Sequence, residues 1–102
     1  MSPTWLYLSR MSNCPTPQCL ADALAHGPVD AGPYVMRAQA WRAGTGVKVA
    51  VALFERNGNL RAMADLIPIP RFDENRLPQY RTAVLVELCN IIDRDAPDIY
   101  RR

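Results

Sequence analysis

The sequence is poor in histidine and lysine, and it has no long apolar run. His26 is the only imidazole among 102 residues, so a site that needs two histidines is excluded. A membrane-spanning helix needs about 20 mostly apolar residues, and no window of the chain approaches that length. Residues 1–10 have no charged stretch followed by a long apolar one, so no signal peptide is predicted. We therefore expect a cytoplasmic protein without a membrane partner.

The chain also carries little net charge. The formal net charge is +2, which is too small to indicate a nucleic-acid or membrane partner by itself. Lys48 is the only lysine beside eleven arginines, a bias typical of a GC-rich genome. Hydrophobic residues at 49% and charged residues at 22% are typical of a folded protein. The length then predicts a single domain over residues 1–102 with one core.

The cysteines do not form an obvious framework. An odd number of three is a poor basis for disulfides, which again favours an intracellular protein. Cys14, Cys19 and His26 lie close enough in the chain to suggest zinc, but structural zinc takes four ligands. The third cysteine, Cys89, falls on the inward side of a predicted helix. We therefore predict no metal and no cofactor.

Residue patterns typical of catalytic sites are also missing from the sequence. His26 has no glycine-framed serine or cysteine beside it. The segment 44–46 lacks the lysine and hydroxyl of a phosphate loop. The carboxylates are scattered and suggest no acid–base pair: Asp22, Glu55, Asp65 and Glu87. We predict that the protein is not an enzyme and has no catalytic residues.

The clearest structural signal is a β-hairpin over residues 47–67. Two runs rich in Val, Leu and Phe flank Asn57-Gly58, a pair suited to a two-residue type I′ turn. Residues 34–42 read as a preceding strand, with a turn at 43–46. Pro68 and Pro70 end the hairpin, because proline cannot donate to a ladder.

Helix signals flank this sheet. Thr16 can cap a short helix that starts at Pro17 and stops at Gly27, and residues 28–33 read as a loop. Residues 78–93 form the main helix, with a broad apolar arc. Residues 4–11 favour a strand, with a short helix as the alternative. The predicted class is α+β: a three- or four-stranded antiparallel sheet, a long C-terminal helix packed on one face and a short N-terminal helix.

Strand alternation sorts the sheet into two faces. The predicted register places Phe54 across from Arg61 and Leu53 across from Ala62. The core face is apolar: Met36, Ala38, Ala40, Val47, Val49, Val51, Leu53, Leu60, Ala62, Ala64 and Leu66. The second face is mixed, basic and aromatic: Val35, Arg37, Gln39, Trp41, Lys48, Phe54, Arg56, Arg61, Met63 and Asp65.

The second face carries the functional prediction. Its candidate binding residues are Arg37, Trp41, Lys48, Phe54, Arg56 and Arg61. Trp, Met and Arg are enriched at protein interfaces, so we expect an adaptor, an immunity-like or antitoxin-like protein, or a phage-type inhibitor, of bacterial or phage origin. The alternative is nucleic acid, bound by ring stacking and cations. Two further readings are a second copy of the chain as partner, or a cross-strand pair of Phe54 and Arg61 with only a structural role.

Two features of the last helix complete the prediction. Arg81 falls inside the apolar arc, so we expect either a stem on the core with its head in water or a pair with Glu55. The predicted order of helix, three strands and helix is similar to that of double-stranded-RNA-binding domains. Those domains carry a lysine cluster at the start of the second helix, whereas residues 76–81 contain no lysine. The chain is therefore not assigned to that family.

Overall fold

The predicted α+β class is confirmed by a computed structural model that describes residues 3–44, 46–66 and 73–100. Within these residues the main elements are α1 (Pro3–Ser12), α2 (Pro17–His26), β1 (Val29–Ala31), β2 (Tyr34–Ala43), β3 (Gly46–Glu55), β4 (Leu60–Asp65) and α3 (Leu77–Asp95). Short 3-10 helices lie at Glu74–Arg76 and Pro97–Ile99. The predicted strand stop at Pro68 and Pro70 lies outside the described residues.

The four strands form one antiparallel sheet in the order β1-β2-β3-β4. The long strands β2 and β3 pair along their whole length, from Tyr34 opposite Glu55 to Ala43 opposite Gly46. The predicted pair of Leu53 with Ala62 is confirmed, and two residues earlier on β3 Val51 pairs with Ala64. Each strand neighbours the one before it in the chain, so every connection is a short turn.

The core lies between one face of the sheet and the three helices. On α3 the inward side chains are Val84, Leu85, Leu88, Cys89 and Ile92. They join the inward residues of β3, such as Val49 and Leu53, and those of α2, such as Leu20 and Leu24, in one buried cluster. Burying each Leu, Ile or Val contributes about 1.5–3 kcal/mol. This side of the sheet is therefore occupied by the helices.

Residues 4–11 form a helix, and the strand prediction was wrong. Thr4, Trp5 and Leu8 are buried on one side of α1, at a spacing that suits a helix and not a strand. The hydroxyl of Thr4 donates a hydrogen bond to the Asp93 carboxylate on α3. Contacts with α3 thus override the preference of Trp, Tyr and Thr for strands.

The signals at both ends of α2 are confirmed. The backbone N–H of Cys19 donates to Thr16 Oγ1 at 3.1 Å, and Pro17 is the first helical residue. Gly27 follows the helix with φ 152°, a conformation that favours glycine. The predicted loop at 28–33 was wrong, because residues 29–31 form β1 and pair with β2. A three-residue strand is too short to leave an alternation pattern in the sequence.

The turn between β3 and β4 also differs from the predicted one. The N–H of Gly58 donates to the carbonyl of Glu55 at 2.9 Å, and Gly58 has φ 97°. A type I′ turn needs positive φ at both central residues. Asn57 does not have it, since Asn13 is the only described non-glycine residue with positive φ. The loop is a tight turn followed by a glycine, and it contains one residue more than predicted.

A β-bulge in β4 compensates for the extra residue in the turn, so that the register beyond the bulge is the predicted one. Phe54 pairs with Leu60, whereas Leu53 pairs with Ala62 as predicted, so Arg61 is the additional residue of the bulge. The predicted pair of Phe54 with Arg61 was therefore wrong. Leu60, expected in the core, is 53% exposed. Downstream of the bulge the predicted register holds.

Arg81 lies half-buried on α3, as its place in the apolar arc suggested. Desolvation by burial lowers the pKa of its guanidinium, and the nearby charge of Asp22 on α2 opposes that shift. The alternative pairing with Glu55 was wrong, because Glu55 lies beside Arg61. Arg81 therefore lies on the part of α3 that is near Asp22 of α2.

Candidate binding face

The side of the sheet away from the helices has no described helix or strand packed on it, and we call it the open face. Strand alternation and the register place these side chains there: Val35, Arg37, Gln39, Trp41, Lys48, Ala50, Ala52, Phe54, Met63 and Asp65. Trp41 is 39% exposed and Met63 is 49% exposed. The short helix α2 packs against α3 in the core.

The centre of the open face is a groove of about 380 Å³. Its floor is Ala50 and Ala52, each only 8% exposed because larger neighbours surround them. Trp41, Phe54 and Met63 form its walls. The remaining lining residues are Gly27, Pro28, Arg37, Ala38 and Gln39. The groove is therefore mainly apolar and open to solvent.

The two alanines were missed by sequence reasoning, which followed the large and charged side chains. They occupy alternate positions between Lys48 and Phe54 on β3, so the alternation rule itself could have placed them on this face. Two small residues in succession on a face of large ones leave a hollow. That spacing was the available signal.

Lys48 lies on the open face opposite Trp41 and forms an ion pair. Its Nζ lies 2.8 Å from Oδ2 of Asp65 on β4. The same nitrogen lies 5.8 Å from the ring centroid of Trp41, within the range of a cation–π contact. The charge of Lys48 is therefore matched within the protein, and one side of the indole is covered.

Arg37 also lines the groove. It is exposed, and within the described residues its side chain has no ion pair or hydrogen bond. It also lines a second hollow of about 310 Å³ beside the groove. That hollow is lined by Val35, Arg37, Phe54, Glu55, Arg56 and Gly58. Arg37 and Phe54 thus belong to both concavities.

Arg56 lies at the edge of the second hollow, in the β3–β4 turn. Its Nη2 donates to the carbonyl of Gly32 at 2.9 Å, and its Nη1 lies 3.5 Å from Oδ1 of Asp30. These contacts join the two turns at this end of the sheet. The predicted site residue is present at the rim of the open face, with its charge already matched.

Arg61 was placed on the open face by the predicted register, and this was wrong. Its Nη2 lies 2.8 Å from Oδ2 of Asp98 and its Nη1 3.8 Å from Oε1 of Glu55, on the helix side of the sheet. Its Nε is buried without a hydrogen-bond partner in the described part of the chain. The bulge turns the side chain away from Phe54, so the cross-strand pair does not form.

The residues of the rejected zinc site have other contacts. The thiol of Cys14 is buried, which raises its pKa, and a hydrogen bond with the Cys19 side chain raises it further. His26 Nδ1 lies 2.8 Å from the carbonyl oxygen of Asp22 in its own helix. Across residues 3–44, 46–66 and 73–100, no three His, Cys, Asp or Glu side chains are grouped to hold a metal ion.

Of the predicted site residues, Arg37, Trp41, Lys48 and Phe54 come together on the open face, Arg56 lies at its rim and Arg61 lies elsewhere. None of the described helices is long and apolar enough to cross a membrane. Comparison with protein-family models, curated proteins and solved structures finds no match for this chain.

Proposed function

We propose that this chain is a small, non-enzymatic intracellular protein that binds another protein through its open face. One observation carries the proposal: an apolar groove over Ala50 and Ala52, walled by Trp41, Phe54 and Met63 and left uncovered by the described helices. The roles that fit are an adaptor, an immunity-like or antitoxin-like protein, or a phage-type inhibitor.

The groove has the composition of an interface centre. Aromatic residues, Met and Arg are enriched at such centres, and a few buried anchors supply most of the binding energy. A Leu or Phe side chain of a partner that becomes buried here gains about 1.5–3 kcal/mol. Trp41 and Met63 would lose their present exposure to water in the same step.

Nucleic acid is the second candidate, supported by Trp41 and Arg37 on the same face. Two contacts favour a protein instead. Lys48 already covers one side of the indole, which a stacked base would need, and its charge is matched by Asp65. The low net charge of +2 adds little general attraction for phosphates.

The test is a pull-down followed by mass spectrometry. It compares the wild type with two variants in which glutamine replaces an alanine. Ala52→Gln fills the floor of the groove without a change of charge. Ala40→Gln is the matched control, because Ala40 is exposed on β2 and, by alternation, lies on the other side of the sheet. We expect partner proteins that the wild type and Ala40→Gln capture and that Ala52→Gln loses by about tenfold or more.

A set of captured proteins that is the same for all three chains would overturn the proposal. The nucleic-acid alternative is tested with labelled single-stranded RNA. Binding that Ala52→Gln abolishes and that falls steeply with salt would support that alternative. A protein complex centred on an apolar groove should lose little affinity over the same salt range.

A further inference from the structure

We infer that the partner segment carries a carboxylate beside a bulky apolar side chain, with both groups on the same face of the segment. The inference rests on the proposed function and concerns which partner the open face selects. It comes from two adjoining concavities that share Arg37 and Phe54, of which the first is mainly apolar and the second is more polar.

The first concavity, the groove, has space for the apolar group. Its alanine floor and the walls formed by Trp41 and Met63 hold no unmatched charge, because the nearby Lys48 pairs with Asp65 at 2.8 Å. An apolar side chain seated there meets apolar atoms. A charged group seated over the alanine floor, away from Arg37, would lose its hydration without gaining a partner.

The second concavity is lined by two cations, Arg37 and Arg56, and one carboxylate, Glu55. Arg56 lies 3.5 Å from Asp30, and Glu55 lies 3.8 Å from Arg61, whose closer partner is Asp98 at 2.8 Å. Arg37 is the cation of this hollow whose side chain has no ion pair among the described residues. A group bound over it gains most if it is negative, and a guanidinium can hold a carboxylate through two parallel hydrogen bonds.

The two positions reinforce each other. An exposed ion pair contributes little in water, whereas a pair from which water is excluded contributes more. The apolar anchor in the groove supplies that exclusion, because Arg37 lines both concavities. In an extended segment the acidic residue and the anchor would be two positions apart, and in a helix three or four apart, since these spacings share a face.

The test is selection of peptides from a random phage-displayed library on the whole immobilised protein. Four chains are used: wild type, Arg37→Gln, Arg42→Gln and Ala52→Gln. Arg42 is an exposed arginine on the same strand, and alternation places it on the other side of the sheet. We expect the wild type and Arg42→Gln to enrich peptides with Asp or Glu near a Trp, Phe, Leu or Met.

Arg37→Gln should enrich the same apolar anchors while the frequency of acidic residues falls to that of the library. A selected peptide and its Glu→Gln or Asp→Gln counterpart then complete a double-mutant cycle. We expect the loss of the carboxylate to weaken binding to the wild type about tenfold and to leave binding to Arg37→Gln nearly unchanged.

Four results would overturn the inference. Anchors without an acidic preference, or an acidic preference that Arg37→Gln retains, would do so while leaving the proposed function intact. Capture of single-stranded RNA that Arg37→Gln abolishes would show that the guanidinium of Arg37 binds phosphate and not a carboxylate. Enrichment on Ala52→Gln equal to that on the wild type would instead overturn the proposed function, and the inference with it.

Discussion

Arg61 and Asp98 form an ion pair, with 2.8 Å between Nη2 and Oδ2, that joins β4 to the 3-10 helix after α3. Arg61 also lies 3.8 Å from Glu55 on the neighbouring strand. The pair exists because the bulge in β4 turns Arg61 toward the helices. It holds the end of the chain, where Ile99 is fully buried, against the sheet.

Arg61→Ala should lower the free energy of unfolding by about 1 kcal/mol, because the guanidinium is largely buried while Asp98 is exposed and screened by water. Urea denaturation of Arg61→Ala, Asp98→Ala and the double variant measures the coupling, which we expect to be about 0.5 kcal/mol. Strictly additive losses would show that the pair has no energetic role. Binding through the open face should not change in any of the three.

Thr4→Val should destabilise the protein by about 1–3 kcal/mol, since it leaves the Asp93 carboxylate without its buried donor. The measurement is again urea denaturation. Thr82→Val is the control, because Thr82 donates to the carbonyl of Pro78 in its own helix and joins no two elements. Equal effects of the two substitutions would contradict a role for Thr4 in fixing α1 on α3.

The turn geometry predicts unequal costs of substitution at Gly58 and Asn57. Gly58→Ala should cost about 1–2 kcal/mol, because φ of 97° strains any residue with a Cβ, although nothing lies within 4 Å of the added atom. Asn57→Ala loses only an exposed hydrogen bond of 3.0 Å from Asn59 N and should cost a few tenths. Comparable costs at both positions, measured by thermal and urea unfolding, would instead favour a type I′ turn.

Cys14 makes stability depend on pH in the alkaline range. Its thiol has a raised pKa in the folded state, chiefly through burial, so the unfolded chain loses the proton first. The stabilisation is present below about pH 8.5, the ordinary value for a cysteine, and is lost as the pH rises through the folded pKa. The free energy of unfolding, followed from pH 7 to 10, should therefore fall more steeply for the wild type than for Cys14→Ala.

The difference between these two chains is the relevant quantity, because the contributions of the groups that both chains share cancel in it. Below about pH 8 the wild type should be the more stable, since Cys14→Ala loses a buried side chain. The difference between their free energies of unfolding should become smaller above that pH. Parallel curves would contradict the raised pKa.

The local elements could be predicted from the sequence because their causes are local. Thr16, Pro17 and Gly27 bound α2 through their own hydroxyl, ring and backbone chemistry. The alternating runs around Asn57-Gly58 specify two paired strands. Most of the binding face could also be predicted, because strand alternation and the register of β2 with β3 bring Trp41, Lys48 and Phe54 to one side of the sheet.

Tertiary structure decided the rest, where a residue's role depends on partners far along the chain. Residues 4–11 became a helix because Thr4 reaches Asp93 and the same face enters the core. Arg61 lies away from the open face because the extra residue in the turn is compensated by a bulge in β4. There its guanidinium forms an ion pair with Asp98. The groove exists because larger neighbours on three strands surround Ala50 and Ala52, so its depth is a property of the packed sheet and of no single segment.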